Sequence, residues 1–109
     1  MSEILAFTTD NFENEVLKAE GLVLVDFYAT WCSHSKRLDA VLREAVGLYA
    51  GRVKMGKVDV FKDNPLSQKY RILSTPTVVF FRNGEEAARM VGSGVRDHLK
   101  EKIEELLAS

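Results

Sequence analysis

The segment Leu22–Tyr28, which reads LVLVDFY, constrains the fold of this chain more than any other part of the sequence. Apart from Asp26, its residues are aliphatic or aromatic at odd and even positions alike, so both faces of a strand made of them are apolar. A strand with one face in water would instead be polar at every second position. The segment therefore predicts a central strand of an α/β domain, covered by helices on both sides.

The rest of the chain alternates between helix and strand patterns. After Leu22–Tyr28, apolar residues recur at steps of three and four from Leu38 to Tyr49, which predicts a long helix that Gly51 ends. The tetrapeptide Arg82-Asn83-Gly84-Glu85 is typical of a hairpin turn. The other predicted elements are a strand at Ile4–Phe7, a helix that Asp10 and Glu13 cap and Gly21 ends, a strand at Val53–Val60, a short helix from Asn64-Pro65 to Tyr70, strands at Thr77–Phe81 and Ala87–Val91, and a helix from Val95 to Leu107.

This order, β-α-β-α-β-α-β-β-α, predicts an α/β fold with a central mixed sheet and helices on both faces. Helices that join strands imply parallel strands with right-handed crossovers, and the closing hairpin adds an antiparallel edge. With 109 residues, we expect a single domain over residues 1–109.

The charge balance and the cysteine count exclude several function classes. Fifteen Lys and Arg against sixteen Asp and Glu give a net charge of −1, without the basic excess of a nucleic-acid-binding protein. Cys32 is the single cysteine, so we expect no internal disulfide and no zinc site. The start from Met1 to Asp10 lacks a signal-peptide pattern, and no segment approaches the roughly 18 apolar residues of a membrane span. We expect a cytoplasmic protein that needs no metal or organic cofactor and binds neither nucleic acid nor membrane.

Cys32 lies between the predicted central strand and the long helix, in the segment Trp31-Cys32-Ser33-His34-Ser35-Lys36. Unpaired backbone N–H groups and the positive end of the helix dipole favour a thiolate there. A protonated His34, and hydrogen bonds from Ser33 and Ser35, would further lower the thiol pKa below the value of about 8.5 for a free cysteine. The alternative is a small buried apolar residue, the commoner state of a lone cysteine. The polar flanks argue against that alternative and favour a nucleophilic sulfur.

Four motifs, in this order and spacing, resemble the thioredoxin family over essentially the whole chain. They are Val25-Asp26-Phe27-Tyr28-Ala29-Thr30-Trp31-Cys32, Lys57-Val58-Asp59, Ser74-Thr75-Pro76-Thr77, and Asn83-Gly84 followed by Gly92. The resemblance implies the thioredoxin fold, with Cys32 as the attacking nucleophile. It also implies a buried carboxylate beneath the site at Asp26, with Lys57 as its neighbour. Trp31 would be the surface aromatic beside the sulfur, Thr75-Pro76 a loop with a cis peptide that pairs with an extended substrate, and Gly92 an open position on the far side of that groove.

The residues themselves leave alternatives open at two of these positions. Asp26 lies between Val25 and Phe27, so burial should raise its pKa, as at many functional sites. Alternatively, Lys57 satisfies the carboxylate in a purely structural pair. Pro76 opens a predicted central strand although it has no N–H to donate, which either a cis peptide or an ordinary proline at a strand start explains.

Ser35 is the main departure from the family pattern. A thioredoxin has its second cysteine there, and that cysteine resolves the mixed disulfide formed by the first. A serine hydroxyl cannot do this, so the reaction should stop at a mixed disulfide of Cys32 until an outside thiol attacks it. The sequence does not distinguish a natural Ser35 from an engineered replacement of cysteine. Ser33-His34 replaces the usual Gly-Pro, and a histidine at this position resembles the oxidising and isomerising relatives, in which it stabilises the thiolate.

The leading hypothesis is a monomeric protein of thiol–disulfide exchange, in which Cys32, Ser35, Asp26, Lys57 and His34 form the catalytic site. Its partners would be proteins with disulfides, together with a thioredoxin reductase or a glutathione-type thiol that completes turnover. One alternative is a non-catalytic interaction module that has kept the groove but lost turnover. Another is an iron–sulfur cluster carrier, in which Cys32 of two chains and two glutathione thiols hold the cluster.

Overall fold

Strands and helices alternate along the chain in the computed structural model, which describes residues 3–109. Met1 and Ser2, where the segment inspected for a signal peptide begins, lie outside the described residues. A π-helical turn, Glu13–Leu17, precedes the second strand. The strands are β1 (Leu5–Ala6), β2 (Leu22–Tyr28), β3 (Val53–Asp59), β4 (Thr77–Arg82) and β5 (Glu85–Val91), and the helices are α1 (Ser33–Leu48), α2 (Asn64–Lys69) and α3 (Val95–Ala108).

The five strands form one mixed sheet in the order β1-β3-β2-β4-β5. Strand β2 is central, and all its residues from Leu22 to Phe27 are buried, as the apolar pattern predicts. It pairs in parallel with β3, which places Asp26 opposite Lys57, and β1 continues the parallel part beyond β3. The predicted fold class is confirmed.

The direction of β4 differs from the prediction. We expected parallel strands wherever a helix intervenes, but β4 runs antiparallel to β2. The register shows the geometry directly, because β2 has Tyr28 opposite Asp59 at the end of β3 and Phe27 opposite Thr77 at the start of β4. The chain therefore enters β4 near the edge of the sheet where β3 ended, and the residues before Thr77 lie beside the carboxyl end of β2.

Helices cover both faces of the sheet. On one face, α1 and α3 pack against the side chains of β2, β3 and β4, with Leu38 and Leu99 completely buried. On the other face, the π-helical turn and α2 contribute Val16 and Leu66 to a buried cluster that contains Phe27. Within residues 3–109, no helix combines the length and the apolar composition that crossing a membrane requires.

The predicted cap of the first helical segment is wrong. Asp10 lies in an exposed turn, and neither Asp10 nor Glu13 makes the expected capping hydrogen bond. Thr8 and Asn11 form the reciprocal pair instead: the Thr8 N–H donates to Asn11 Oδ1 at 2.8 Å, and the Asn11 N–H donates to Thr8 Oγ1 at 3.3 Å. Both pairs have the three-residue spacing of a capping box, so spacing alone did not distinguish them.

The predicted hairpin turn is confirmed by the backbone angles of its central residues. Asn83 and Gly84 have φ values of 52° and 84°, as a turn that joins two twisted strands requires. Gly84 also lies against the preceding part of the chain, because a Cβ there would be 2.7 Å from the carbonyl oxygen of Leu17. Strand β5 begins directly at Glu85, two residues before the predicted start.

Candidate active site

Cys32 lies where the chain leaves β2 and enters α1. It is the N-cap residue of α1, with an extended backbone at φ −87° and ψ 118°. Its N–H donates to the carbonyl of Ala29 at 3.1 Å, and its own carbonyl accepts from the N–H of Lys36 at 3.1 Å. The side chain is partly exposed, so the thiol is open to a reaction partner rather than sealed in apolar packing.

Hydrogen bonds lower the pKa of Cys32 from 9.0 to about 7. The largest effect comes from the side chain of Thr75, because a hydroxyl donates to a thiolate better than to a thiol. The backbone and side chain of Ser35 and the backbone of His34 act in the same direction, against a rise caused by partial burial. These donors belong to the first turn of α1 and to the loop before β4, so both sides of the site stabilise the anion.

The roles predicted for Ser33 and His34 are therefore only partly right. The imidazole of His34 is exposed, and the backbone N–H of this residue is among the groups that lower the pKa of Cys32, whereas the effect of a protonated ring stays a prediction. Ser33 is also exposed and is not among the groups that lower this pKa. Ser35 is 2% exposed, its Oγ accepts the N–H of Ala29 at 3.4 Å, and its hydroxyl acts on the sulfur as predicted.

The loop before β4 forms the opposite side of the site. The peptide between Thr75 and Pro76 is cis, as predicted. In the protonated state, the Cys32 thiol donates to the carbonyl of Thr75 at 3.4 Å. Gly92 lies next to this loop, because its N–H donates to the carbonyl of Pro76 at 2.9 Å, and a Cβ on Gly92 would meet no atom within 4 Å. The loop and the open position at Gly92 thus lie side by side, as the resemblance implies.

Two exposed aromatic rings contact each other near the site, and one of them directly precedes Cys32 in the chain. Trp31 is 63% exposed and Phe61 is 76% exposed, and their ring centroids lie 5.0 Å apart in an edge-to-face arrangement. Trp31 is therefore a surface aromatic beside the sulfur, as predicted. Phe61 follows the end of β3, and the two rings together form an apolar surface at the edge of the sheet where β2 and β3 end.

Asp26 is buried beneath the site without a hydrogen-bond partner. Its side chain is completely inaccessible, and neither carboxylate oxygen has a partner among the described residues. Burial raises its pKa from 3.8 to about 7, the charge of Lys57 lowers it, and the charge of Asp39 raises it. Near neutral pH, Asp26 is therefore close to half protonated, and it can take up or release a proton.

The alternative in which Lys57 satisfies Asp26 is wrong. Lys57 is opposite Asp26 in the strand register, but its Nζ lies 2.6 Å from Oδ1 of Asp39 on α1. The ammonium also lies 4.2 Å from the ring centroid of Tyr28. Both contacts hold the cation at the partly exposed edge of the site, so Lys57 acts on Asp26 only through space.

Two residues of this site, Asp39 and Phe61, were missed in the sequence. Asp39 follows Ser35 by four residues in the long helix, and this spacing places both on one helix face. Phe61 comes just after a strand parallel to β2, and the ends of parallel strands lie at the same edge. Either spacing could have identified the residue. Within residues 3–109, no group of three or more His, Cys, Asp or Glu side chains comes together to hold a metal ion.

Comparisons with known proteins agree with this geometry. The family model described as Thioredoxin matches residues 3–105. A protein named Thioredoxin C-2 from Corynebacterium nephridii is 42% identical over 106 residues, which cover 96% of this chain and 98% of the relative. A Thioredoxin from Buchnera aphidicola is 36% identical over 105 residues, covering 96% and 97%. A Thioredoxin from Staphylococcus saprophyticus is 36% identical over 104 residues, covering 95% and 98%.

Proposed function

The chain belongs to the thioredoxin family of thiol–disulfide oxidoreductases, and we propose from this that it exchanges disulfides with Cys32 as its only attacking sulfur. One observation carries the proposal: Cys32 is partly exposed at the start of α1, and donors from Thr75, Ser35 and His34 lower its pKa to about 7. A thiol with a pKa near the ambient pH combines a large thiolate fraction with high nucleophilicity, which suits attack on a disulfide.

In the first step, the Cys32 thiolate attacks one sulfur of a substrate disulfide. A bond forms between Sγ and that sulfur, the substrate disulfide bond breaks, and the second substrate sulfur leaves as a thiolate. The substrate strand lies against the cis Thr75-Pro76 loop. Gly92 leaves room for the substrate backbone, and Trp31 offers a surface to an apolar side chain of the substrate. Asp26 has a pKa of about 7, so it can take up or release a proton near neutral pH and buffer the charge that the reaction moves.

The second step needs a thiol from outside the chain. The Ser35 hydroxyl occupies the position of a resolving cysteine, and an alcohol cannot displace a sulfur from a disulfide. The mixed disulfide therefore persists until an external thiolate attacks it. A glutathione-type thiol or a protein thiol supplied through a reductase completes the cycle.

The partners follow from this chemistry. The substrates are proteins with accessible disulfides, and the chain acts as a monomer because the groups of the proposed site all come from one copy. A step that consumes an external thiol requires a reducing compartment, so we place the protein in the cytoplasm.

The pH dependence of Cys32 alkylation tests the first step. We expect the alkylation rate to rise with pH through a midpoint near 7, because only the thiolate reacts. Thr75→Val removes the hydroxyl with the largest effect on this pKa and should move the midpoint upward. A wild-type midpoint at or above about 8.5, the value of a free cysteine, would contradict an activated thiolate.

Trapping and turnover assays test the second step. Incubation with insulin should produce a covalent adduct that glutathione releases and that Cys32→Ala abolishes. Dithiothreitol can itself attack the mixed disulfide, so the wild-type chain should reduce insulin slowly with it, because each turnover waits for an external thiolate. Ser35→Cys should be faster, because the new thiol releases the substrate within the chain. If the wild type forms no adduct, and if its rate of insulin reduction with glutathione equals the background rate, the chain is instead a non-catalytic interaction module.

A further inference from the structure

We propose that a cavity beside Cys32 binds the carboxylates of the small thiol that releases this cysteine from its mixed disulfide. This inference rests on the proposed function, because only a chain without a resolving cysteine needs such a thiol. The cavity has a volume of about 250 Å³ and lies between the first turn of α1 and the start of α3. Its lining consists of His34, Arg37, Ser93, Gly94, Arg96 and Asp97.

The two walls of the cavity belong to the two segments that lie on either side of the Cys32 sulfur. One wall begins at His34, whose backbone N–H acts on the Cys32 sulfur. The other begins at Ser93, directly after Gly92, whose N–H donates to the carbonyl of Pro76 at 2.9 Å. The carbonyl of Thr75, one residue earlier, accepts from the Cys32 thiol. The cavity therefore adjoins both segments that contact the sulfur, although Cys32 itself is not part of its lining.

The charges of the lining favour an anion. Within residues 3–109, no ion pair includes Arg37, so its guanidinium is available to a ligand. Arg96 pairs with its exposed neighbour Asp97 at 3.3 Å, and such surface pairs are weak enough for a ligand to replace. Guanidinium groups match the geometry of carboxylates, which bind them through two parallel hydrogen bonds. Asp97 in turn can accept an ammonium group.

This set of groups fits a thiol that carries carboxylates and an ammonium group, and glutathione is the test compound with that chemistry. 2-Mercaptoethanol carries no carboxylate, so apart from its reacting thiolate it offers nothing to either arginine. The cavity should therefore accelerate release by glutathione over release by 2-mercaptoethanol, even though both compounds attack through the same kind of thiolate.

The release proceeds in two balanced steps. The glutathione thiolate attacks Sγ of Cys32, the bond between Sγ and the substrate sulfur breaks, and the substrate leaves as a thiolate that water protonates. A second glutathione thiolate then attacks the glutathione sulfur of the new mixed disulfide and frees Cys32 as a thiolate. The two electrons that reduce the substrate disulfide come from two glutathione molecules, which leave as glutathione disulfide.

The test uses Cys32 joined in a mixed disulfide to 2-thiopyridine, a neutral leaving group whose release is followed by absorbance. Release by glutathione and by 2-mercaptoethanol is measured for the wild type and for the double variant Arg37→Gln with Arg96→Gln. The matched control is Arg43→Gln with Arg52→Gln, which removes the same charge from exposed positions outside the cavity. We expect the double variant to slow release by glutathione about fivefold and to leave release by 2-mercaptoethanol unchanged.

The other outcomes separate the two proposals. Equal slowing of both thiols, or no slowing of either, would overturn the binding site, because neither result shows recognition of the carboxylates. A control variant that slows glutathione as much as the double variant would overturn it too, since net charge would then be sufficient. If Cys32 forms no adduct, or if neither thiol releases it from the wild type, the proposed exchange reaction itself has failed.

Discussion

Replacing Asp26 by asparagine should change how the stability of the protein depends on pH. The carboxyl group has a pKa of 3.8 when exposed and about 7 in the folded chain, because it is completely buried without a partner. The folded state thus binds this proton more tightly than the unfolded state. Stability is therefore full below pH 3.8 and falls as the pH rises towards 7.

The size of the effect follows from the shift. Each pKa unit corresponds to about 1.4 kcal/mol, so a shift of about 3 units costs the folded state about 4 kcal/mol above pH 7. At pH 5, part of this cost already applies, because the unfolded carboxyl is ionised there. Between pH 5 and pH 8, Asp26 alone should reduce the free energy of unfolding by roughly 2 to 3 kcal/mol.

Urea unfolding at a series of pH values between about 5 and 8.5 measures this effect. The amide of the Asp26→Asn variant is neutral throughout, so any penalty for burying it is constant and only the slope is compared. We expect the wild type to lose stability relative to Asp26→Asn as the pH rises. Asp10→Asn, at an exposed carboxylate, shows how much of the slope is a general charge effect. Parallel curves for the wild type and Asp26→Asn would refute the reasoning, because they would mean that the folded state solvates the ionised carboxylate.

Three further variants test the surroundings of Asp26 and the packing of the sheet. Asp39→Asn should lower the pKa of Asp26, because it removes a negative charge and frees the ammonium of Lys57, whereas Lys57→Met should raise it. Titration of the Asp26 carboxyl by infrared or NMR spectroscopy measures both, and shifts of the same sign would contradict the assigned charges. Gly56→Ala should cost about 2 kcal/mol in urea unfolding, because the new Cβ overlaps the ring of Phe7. An unchanged free energy of unfolding would show that this ring moves aside freely.

Short-range signals in the sequence predicted most of the elements. The doubly apolar segment Leu22–Tyr28 indicated the central strand, and Asn83-Gly84 indicated the turn between β4 and β5. The direction of β4 was not predictable in the same way, because burial on both faces does not encode direction. It is set by pairing in the folded sheet, where Thr77 at the start of β4 lies opposite Phe27 near the carboxyl end of β2. The first cap failed for a similar reason: Asp10 with Glu13 and Thr8 with Asn11 share one spacing, and only the folded backbone selects between them.

At the active site, the sequence predicted which residues form the site but not which side chains contact each other. The segment around Cys32 and the Thr75-Pro76 peptide indicated where the site lies. The unpaired N–H groups at a helix start and the missing N–H of a proline are properties of a short segment, so the sequence alone reveals them. The partner of Lys57 depends on how far its side chain reaches, and Asp39 on α1 lies closer to the ammonium than its register neighbour Asp26 does. Such a choice between two carboxylates is set by the packing of a helix on a sheet, which a linear sequence does not state.

The contact between Trp31 and Phe61 has a practical consequence. Trp31 is the single tryptophan of the chain, so indole emission comes from one place, beside the reacting sulfur. A molecule that covers this indole, or that takes the place of Phe61 against it, changes the polarity around the ring. The protein thus contains its own optical reporter, and the arrival and departure of substrates can be followed by intrinsic fluorescence without an attached label.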